Sequence, residues 1–263
     1  SGTITARLGR VALASGEKVT VDLYGDNLIE MALDGNASKA VIDQTGTIAA
    51  EGGVVQITAQ AAKDMVDSVI NMDGITTASS VTQEGGRIVL SGDTVNVGGT
   101  VSADGAAGGS VAVNARRTTV RNTARVTANS TAGQAAGTVK VLASEKATVA
   151  GTLEAKGATG TGFIETSAPD LAVADSTSVG TTGEWLIDPP DFIIDAVWEG
   201  LIETALGGGS VAILAPTGDI YVDRIIDWST GHTLTLTAFN DILFGLASSG
   251  LNATGAGNAT LNA

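Results

Sequence analysis

Short segments in which apolar and polar or small residues alternate recur along this chain, as in Val95–Val97, Val111–Val113 and Val139–Val141. An apolar residue at every second position is typical of a strand with one buried face. Gly, Ser, Asn and Asp separate these segments, and such residues favour turns. The pattern predicts many short strands. It also predicts that six valines point into the core: Val95, Val97, Val111, Val113, Val139 and Val141.

The strand segments follow a repeat that opens with Gly-Thr-Ile or a variant of it, as at Gly2, Gly46, Gly99 and Gly151. Aligning one apolar residue from each opening gives steps of 25–27 residues, over Ile48, Ile75, Val101, Val126, Leu153 and Val179. A period of this length indicates a repeat architecture. Three strands of about 4–6 residues fit one such unit, which predicts an all-β parallel β-helix with coils of about 26 residues. A sandwich or barrel is the alternative, but such folds do not repeat at this period.

Two segments have helical periodicity instead. The first carries apolar residues at Ala62, Met65, Val66, Val69 and Ile70. The second carries them at Trp198, Leu201, Ile202, Ala205 and Leu206. This spacing places the apolar residues on one face of a helix. For the second helix, near 196–206, Asp195 can cap the start and Gly207 can end it. We expect two short helices on the outside of the coil, each covering apolar surface.

The segment Trp185–Phe192 contains Pro189 and Pro190 between two aromatic residues. Proline fixes φ and has no N–H to donate, so the segment predicts a rigid corner where the coil geometry changes. We therefore divide the chain into coils over 1–184 and continuing coils over 185–263. A functional alternative is that Trp185 is exposed and stacks on a sugar.

Composition narrows the class of protein. Aromatic residues make up 3% of the chain, glycine accounts for 35 of 263 residues, and there is no cysteine. The core must therefore be aliphatic, and no disulfide or thiolate metal site exists. No apolar run is long enough for a membrane-spanning helix. The chain begins within a repeat and without a signal peptide, so we expect a fragment or a processed form of something longer.

Charge is unevenly distributed. The net charge is −14, and Arg224 is the single basic residue of 157–263. This acidic excess argues against nucleic-acid binding and fits an extracellular surface kept soluble by repulsion. Four basic residues crowd together at Arg116, Arg117, Arg121 and Arg125. They are a candidate docking patch for an acidic partner, or a solvated face whose stems cover apolar coil surface.

Residues with catalytic or metal-binding chemistry are few. Asp188, Asp191 and Asp195 form the nearest cluster of carboxylates and are a weak candidate for Ca²⁺. They contain no adjacent pair for acid–base hydrolysis of a glycoside. The sole histidine, His232, follows Gly231 in a predicted turn without catalytic or metal-ligand spacing. The sequence therefore predicts no catalytic residue and no cofactor, and the protein is not expected to be an enzyme.

Specific segments resemble a known family. They are Gly162–Ser167 and Trp185–Phe192, the opening from Gly2–Ile4 through Leu8–Leu13 to Val19–Asp22, and the later Gly218–Ile220, Trp228–Ser229 and Thr233–Leu236. Together they are similar to filamentous-haemagglutinin-type exoproteins, the secreted partners of two-partner secretion systems in Gram-negative bacteria. The resemblance covers nearly the whole chain, and Trp185–Pro189 is its most specific part. It implies a right-handed parallel β-helix that acts as an adhesin or stalk.

The resemblance also implies a location and partners. The chain would be secreted or at the bacterial surface, exported by an outer-membrane transporter, and active in cell adhesion or biofilm formation. Its receptor would be a polysaccharide or a protein of a host cell or matrix. The Asn-Pro-Asn motif of the secretion domain is absent, so we expect a segment downstream of that domain, with the transporter recognised elsewhere in the parent chain. The alternatives are a fibre subunit that associates end to end and a polysaccharide-active β-helix enzyme.

Overall fold

The structure, a computed structural model, describes residues 2–7, 9–16, 18–22, 30–34, 40–59, 68–79 and 85–263. Within these residues, 27 strands and one helix wind into a parallel β-helix of about eight turns. This confirms the predicted fold class.

Each coil contributes strands to three faces. The first face stacks β1 (Thr3–Thr5), β6 (Thr47–Ala49), β9 (Ile75–Thr77), β11 (Thr100–Ser102), β13 (Arg125–Thr127), β15 (Thr152–Ala155) and β18 (Ser178–Thr181). The second face stacks β2 (Arg10–Ser15), β7 (Val54–Ala59), β10 (Arg87–Val97), β12 (Ser110–Val120), β14 (Thr138–Val149), β16 (Phe163–Ser167), β19 (Glu184–Asp188), β21 (Ser210–Ala215), β24 (Thr233–Ala238) and β27 (Asn258–Asn262).

The third face begins with β5 (Ala40–Gln44) and β8 (Ser68–Met72), continues through the second halves of β10, β12 and β14, and reaches β17 (Asp170–Val173). A separate third-face sheet then stacks β20 (Phe192–Ile194), β22 (Ile220–Val222) and β25 (Ile242–Phe244). The pair β23 (Ile225–Trp228) and β26 (Gly250–Ala253) follows β22 and β25 in the first-face position. An antiparallel pair, β3 (Lys18–Asp22) and β4 (Glu30–Asp34), is inserted between β2 and β5.

The core consists of side chains stacked in register from coil to coil. One column on the second face runs through Val55, Ile88, Val111, Val139, Ile164, Trp185, Val211 and Leu234. The six valines predicted to point inward are at most 1% exposed, which confirms that prediction. Full burial of one such side chain stabilises the fold by about 1.5–3 kcal/mol.

The repeated Gly-Thr-Ile opening has a packing explanation on the first face. The N–H of Thr47 donates to the carbonyl of Gly2, and the N–H of Thr100 donates to the carbonyl of Gly74. A Cβ on Gly99 would collide with the Gly74 carbonyl, so the coils can approach there only without a side chain. One position of the predicted alignment is wrong. Val101 lies opposite Thr76, which is fully buried, while Ile75 is 49% exposed.

The predicted second helix is present as α1 (Ala196–Leu206), and Oδ1 of Asp195 accepts hydrogen bonds from the N–H groups of Val197 and Trp198. Its expected position outside the coil is wrong. The helix contacts β18 and β23, which do not pair with one another, so it takes the place of a strand in the first-face stack. The reason is its broad apolar face, which is buried through Trp198, Ile202, Ala205 and Leu206.

The other predicted helix is only partly described. Ala62, Met65 and Val66 lie outside the described residues. Val69 and Ile70 belong to β8 and pair with Thr94 and Val95, so the helical prediction is wrong for these two residues. β-branched residues with a buried neighbouring strand favour the extended conformation here.

The predicted corner at Pro189 and Pro190 is visible on the third face, where β17 and β20 belong to different sheets. Pro189 and Pro190 lie in the turn between β19 and β20, directly before the first strand of the new third-face sheet. The second face nevertheless runs without interruption from β16 through β19 to β21. The division into 1–184 and 185–263 stays a prediction.

Candidate functional site

The arginine cluster lies along β12, in the turn that follows it and at the start of β13. Arg116 forms two hydrogen bonds with Asp93, from Nε to Oδ1 at 2.6 Å and from Nη2 to Oδ2 at 2.8 Å. Its Nη1 donates to Glu145 Oε2 at 2.7 Å, and Nε of Arg117 is 3.2 Å from the same oxygen. Asp93, Arg116 and Glu145 belong to successive coils, so the guanidinium links three turns of the β-helix.

The remaining two arginines are also paired across coils. Nη1 of Arg121 is 2.7 Å from Oδ1 of Asp73, two coils away, and passes Gly98, where a side chain would collide with that carboxylate. Nη2 of Arg125 is 2.8 Å from Oε2 of Glu154, whose other oxygen accepts from Lys156 at 2.8 Å. The cluster is therefore a set of ion pairs that run along the coil axis.

These contacts change the acidity of the partners. The hydrogen bond from Arg116 lowers the pKa of Asp93 and also lowers the pKa of Glu145. At Glu154, burial opposes ionisation, but the hydrogen bond from Lys156 and the charges of Lys156 and Arg125 lower the pKa overall. Because the arginine charges are neutralised within the protein, this geometry supports a stabilising role. Docking of an acidic partner at Arg116, Arg117, Arg121 and Arg125 stays a prediction.

The structure contradicts a sugar-stacking role for Trp185. Its side chain is fully buried, and its indole stacks on Trp198 with ring centroids 6.1 Å apart. Phe192 meets Trp198 edge to face at 4.7 Å. The three rings form an aromatic core between β19, β20 and α1, because Trp185 occupies an inward position of the second face. No face of its ring is available to a ligand.

The three carboxylates proposed for Ca²⁺ have separate roles. Asp195 caps α1, and Oδ1 of Asp191 accepts the N–H of Asp219 at 3.0 Å. Burial and then the negative charge of Glu165 raise the pKa of Asp188. Among the residues that the structure describes, no group of three or more His, Cys, Asp or Glu side chains could hold a metal ion. The carboxylates do not converge, so the Ca²⁺ candidate is wrong within this part of the chain.

His232 joins the end of α1 to the coil. Its Nδ1 lies 2.7 Å from the carbonyl oxygen of Leu206, which also accepts from Thr230 Oγ1 at 2.6 Å. The carbonyl of His232 accepts the indole N–H of Trp228 at 3.0 Å. These contacts satisfy a carbonyl at the helix C-terminus and give His232 a structural role.

A surface that the sequence analysis missed lies on the third face of the later coils. The outward residues of β20, β22 and β25 form an apolar column of Ile193, Tyr221 and Leu243. Acidic residues flank it in two rows. The full set, which we call the acidic-apolar face, is Asp191, Asp219, Asp241, Ile193, Tyr221, Leu243, Asp195 and Asp223. One sequence pattern could have predicted this face: an Asp followed by three apolar residues recurs at 191–194, 219–222 and 241–244.

The first acidic row is a ladder of stacked aspartates. Oδ1 of Asp191 accepts the N–H of Asp219, and Oδ1 of Asp219 accepts the N–H of Asp241, each at 3.0 Å. The hydroxyl of Tyr221 donates to Oδ2 of Asp219 at 3.1 Å. That hydrogen bond, and then the charges of Asp219, Asp191 and Asp241, raise the pKa of Tyr221. The face therefore has a strongly negative potential around an apolar centre.

No helix in the described part of the chain has both the length and the apolar character needed to cross a membrane. No protein-family model and no solved structure matches the sequence. A stretch of 88 residues, 34% of this chain, is 32% identical to the heme/hemopexin-binding protein of Haemophilus influenzae. That stretch spans 9% of the length of the relative. The likeness is to one part of a much longer protein.

Proposed function

We propose that this chain is a segment of a large secreted exoprotein of the filamentous-haemagglutinin type, in which it serves as a rigid adhesive stalk. The observation that carries the proposal is the uninterrupted second-face sheet, which stacks ten strands from β2 to β27. With about 4.8 Å between neighbouring strands, this sheet gives a rod about 45 Å long. A rod of this kind holds a binding surface away from the cell.

Two further observations support the proposal. The Trp185–Asp188 part of the family resemblance lies at the place where the helix enters the stack and the third face changes sheet. The relative from Haemophilus influenzae is named for the binding of heme and hemopexin, so its name describes a binding protein. We infer export through an outer-membrane transporter that recognises another part of the parent chain, and a host-cell or matrix polysaccharide or protein as receptor.

We also propose that the segment is not an enzyme. Hydrolysis of a glycoside by inversion needs two carboxyl groups about 6.5–9.5 Å apart with room for water. Asp191 and Asp195 are engaged with backbone N–H groups instead. We expect no release of reducing ends or unsaturated products from acidic or neutral polysaccharides. Product release that is lost in Asp188→Asn or Glu165→Gln would contradict this proposal.

Surface location and adhesion can be tested separately. Antibodies raised against residues 1–263 should label intact source cells, and deletion of the cognate outer-membrane transporter should abolish the labelling. Beads coated with the purified protein should attach to epithelial cells or extracellular matrix, and soluble protein should compete. Beads coated with heat-unfolded protein are the matched control. Labelling that persists without any transporter would contradict export by a two-partner system, and attachment no stronger than that of the unfolded control would contradict adhesion.

A further inference from the structure

Among the residues that the structure describes, the carboxylates of the acidic-apolar face form no ion pair, whereas several carboxylates of the earlier coils do. In the earlier coils, Arg116, Lys140 and Lys146 pair with carboxylates of neighbouring coils at 2.6–2.7 Å. Beyond residue 156 the sequence contains one basic residue, Arg224. Its Nε is directed to Oε2 of Glu199 on α1, at 3.9 Å. The aspartate ladder therefore lies in a part of the protein with almost no cationic side chain.

Stacking of these carboxylates has an electrostatic cost. Neighbouring coils are about 4.8 Å apart, and like charges at that distance repel one another. The backbone N–H groups of Asp219 and Asp241 each satisfy one oxygen of the preceding aspartate. A cation brought to the face from outside would reduce the repulsion and would be attracted by the whole ladder.

The centre of the face is apolar and accessible. Ile193 is 53% exposed and Leu243 is 39% exposed, and both are in register with Tyr221 between them. In the middle coils, outward positions of the third face are polar or small, as at Asn96, Thr119 and Thr148, whereas the first two strands carry the outward pair Val41 and Val69. Apolar side chains aligned over three coils are a feature that favours a protein partner.

The spacing within each strand defines the chemistry of that partner. Asp191, Ile193 and Asp195 alternate with the buried residues Phe192 and Ile194, so all three face outward in the order acidic, apolar, acidic. Asp219, Tyr221 and Asp223 repeat this order in the next coil. An extended peptide has the same two-residue period. A segment with the order basic, apolar, basic at alternate positions can therefore match one row of the face residue by residue.

We propose that the acidic-apolar face is a docking surface for an extended basic segment of a partner protein, in which lysine or arginine residues alternate with apolar side chains facing the β-helix. Charge complementarity orients the segment, and the Ile193–Tyr221–Leu243 column supplies apolar contact. The proposal deepens the adhesive function, since it names one binding face of the exoprotein. Because it is tested with purified protein, its failure would leave the export and attachment experiments unaffected.

The test is the binding of a fluorescent nonapeptide, Lys-Ser-Leu-Ser-Lys-Ser-Leu-Ser-Lys, to the chain of residues 1–263, followed by anisotropy. One control peptide has serine in place of leucine, and another has glutamate in place of lysine. We expect the first peptide to bind at least tenfold more tightly than either control. Equal binding of the leucine and serine peptides would mean that charge alone acts, which would overturn the proposed apolar contact.

Two sets of variants locate the binding. The combined change Asp191→Asn, Asp219→Asn and Asp241→Asn keeps an oxygen for each ladder hydrogen bond and removes the charge. The combined change Ile193→Thr and Leu243→Thr removes two of the three apolar side chains of the column and places a β-branched residue, which suits a strand, at both positions. We expect each set to weaken binding at least tenfold without a change in melting temperature greater than a few degrees.

The matched control removes the same charge elsewhere through Glu184→Gln, Asp175→Asn and Asp227→Asn, and the last change keeps an oxygen for the hydrogen bond from Asn252. Binding should stay within twofold of the parent protein. If this control weakens binding as much as the ladder variant does, the peptide follows net charge and the docking face is wrong. If neither set of face variants affects binding, the peptide binds elsewhere and the proposal fails.

Discussion

The indole N–H of Trp185 donates to Oγ1 of Thr166 at 3.1 Å, and both groups are buried between coils of the β-helix. Thr166 lies in register between Val141 and Ile187, at a position where its neighbours are aliphatic. The tryptophan itself follows Ile164 in an aliphatic column. A large ring in this column brings a polar N–H into the core, and the hydroxyl of Thr166 satisfies it.

We expect Thr166→Val to destabilise the protein by about 1–3 kcal/mol, because the indole N–H would be buried without an acceptor. The two side chains have nearly the same volume, so packing changes little. The measurement is the midpoint of unfolding in urea followed by tryptophan fluorescence. Thr166→Ser should reduce the free energy of unfolding by less, since serine keeps the hydroxyl that accepts the indole N–H.

Thr118→Val is the matched control. Oγ1 of Thr118 is buried without a hydrogen-bond partner, so replacing it by a methyl group should be neutral or stabilising. Equal loss of stability in Thr118→Val and Thr166→Val would show that the bond to Trp185 contributes nothing.

The sequence predicted the strands, the repeat and the ends of α1 because these features depend on local pattern. The sequence did not show whether Trp185 is buried or exposed, because a rare aromatic residue is compatible with either a core position or a binding surface. The sequence analysis placed α1 outside the coil. Its true position follows only from the strands β18 and β23, which do not pair and leave room for one element between them in the first-face stack. The pairing of Arg116 was equally hidden, since its partners lie 23 and 29 residues away along the sequence.

The ion pairs of Arg116 should make stability depend on pH in the acidic range. Arg116 lowers the folded pKa of Asp93 below its ordinary value of 3.8 and that of Glu145 below 4.5. A group with a lowered folded pKa stabilises the fold above its unfolded pKa and loses that contribution as the pH falls through the folded value. We expect the melting temperature to be insensitive near pH 6 and to fall as the pH goes below about 4.

Arg116→Met removes both pairs while keeping an apolar stem. Its melting temperature should be lower than that of the parent at pH 6, and the difference should shrink as the pH falls through the acidic range. Arg117→Met, which loses a single contact with Glu145 at 3.2 Å, should show a smaller effect. A constant difference between Arg116→Met and the parent from pH 6 to pH 2.5 would contradict the proposed linkage.

Two glycines should respond in opposite ways to the same substitution. Gly99→Ala should be strongly destabilising, because the new Cβ collides with the Gly74 carbonyl in the adjacent coil. Gly200 lies within α1, and a Cβ added there would point into open space, so Gly200→Ala should stabilise the protein by about 0.5–1 kcal/mol through higher helix propensity. Thermal unfolding of both variants is the measurement. If Gly99→Ala has the same melting temperature as the parent protein, the backbones at Gly74 and Gly99 are not in close contact.

The last described coil has inward residues that remain uncovered. Leu261 is in register with Leu236, and Phe244 with Val222. Leu236 and Val222 are fully buried, whereas Leu261 is 49% exposed and Phe244 is 44% exposed. Exposed strand edges and apolar core residues together favour pairing with another coil. We expect the isolated chain of residues 1–263 to self-associate through this end as its concentration rises.

Light scattering across protein concentration measures this association. Leu261→Lys should keep the protein monomeric to higher concentration, because a second copy that stacks on this end would bury the lysine charge. Leu246→Lys is the matched control, since Leu246 is 53% exposed but lies outside the described strands. High salt should not dissolve the assemblies, because apolar burial and backbone pairing dominate over screened charge. A strict monomer at all concentrations, or equal inhibition by Leu246→Lys, would remove end-to-end stacking as the basis of a fibre.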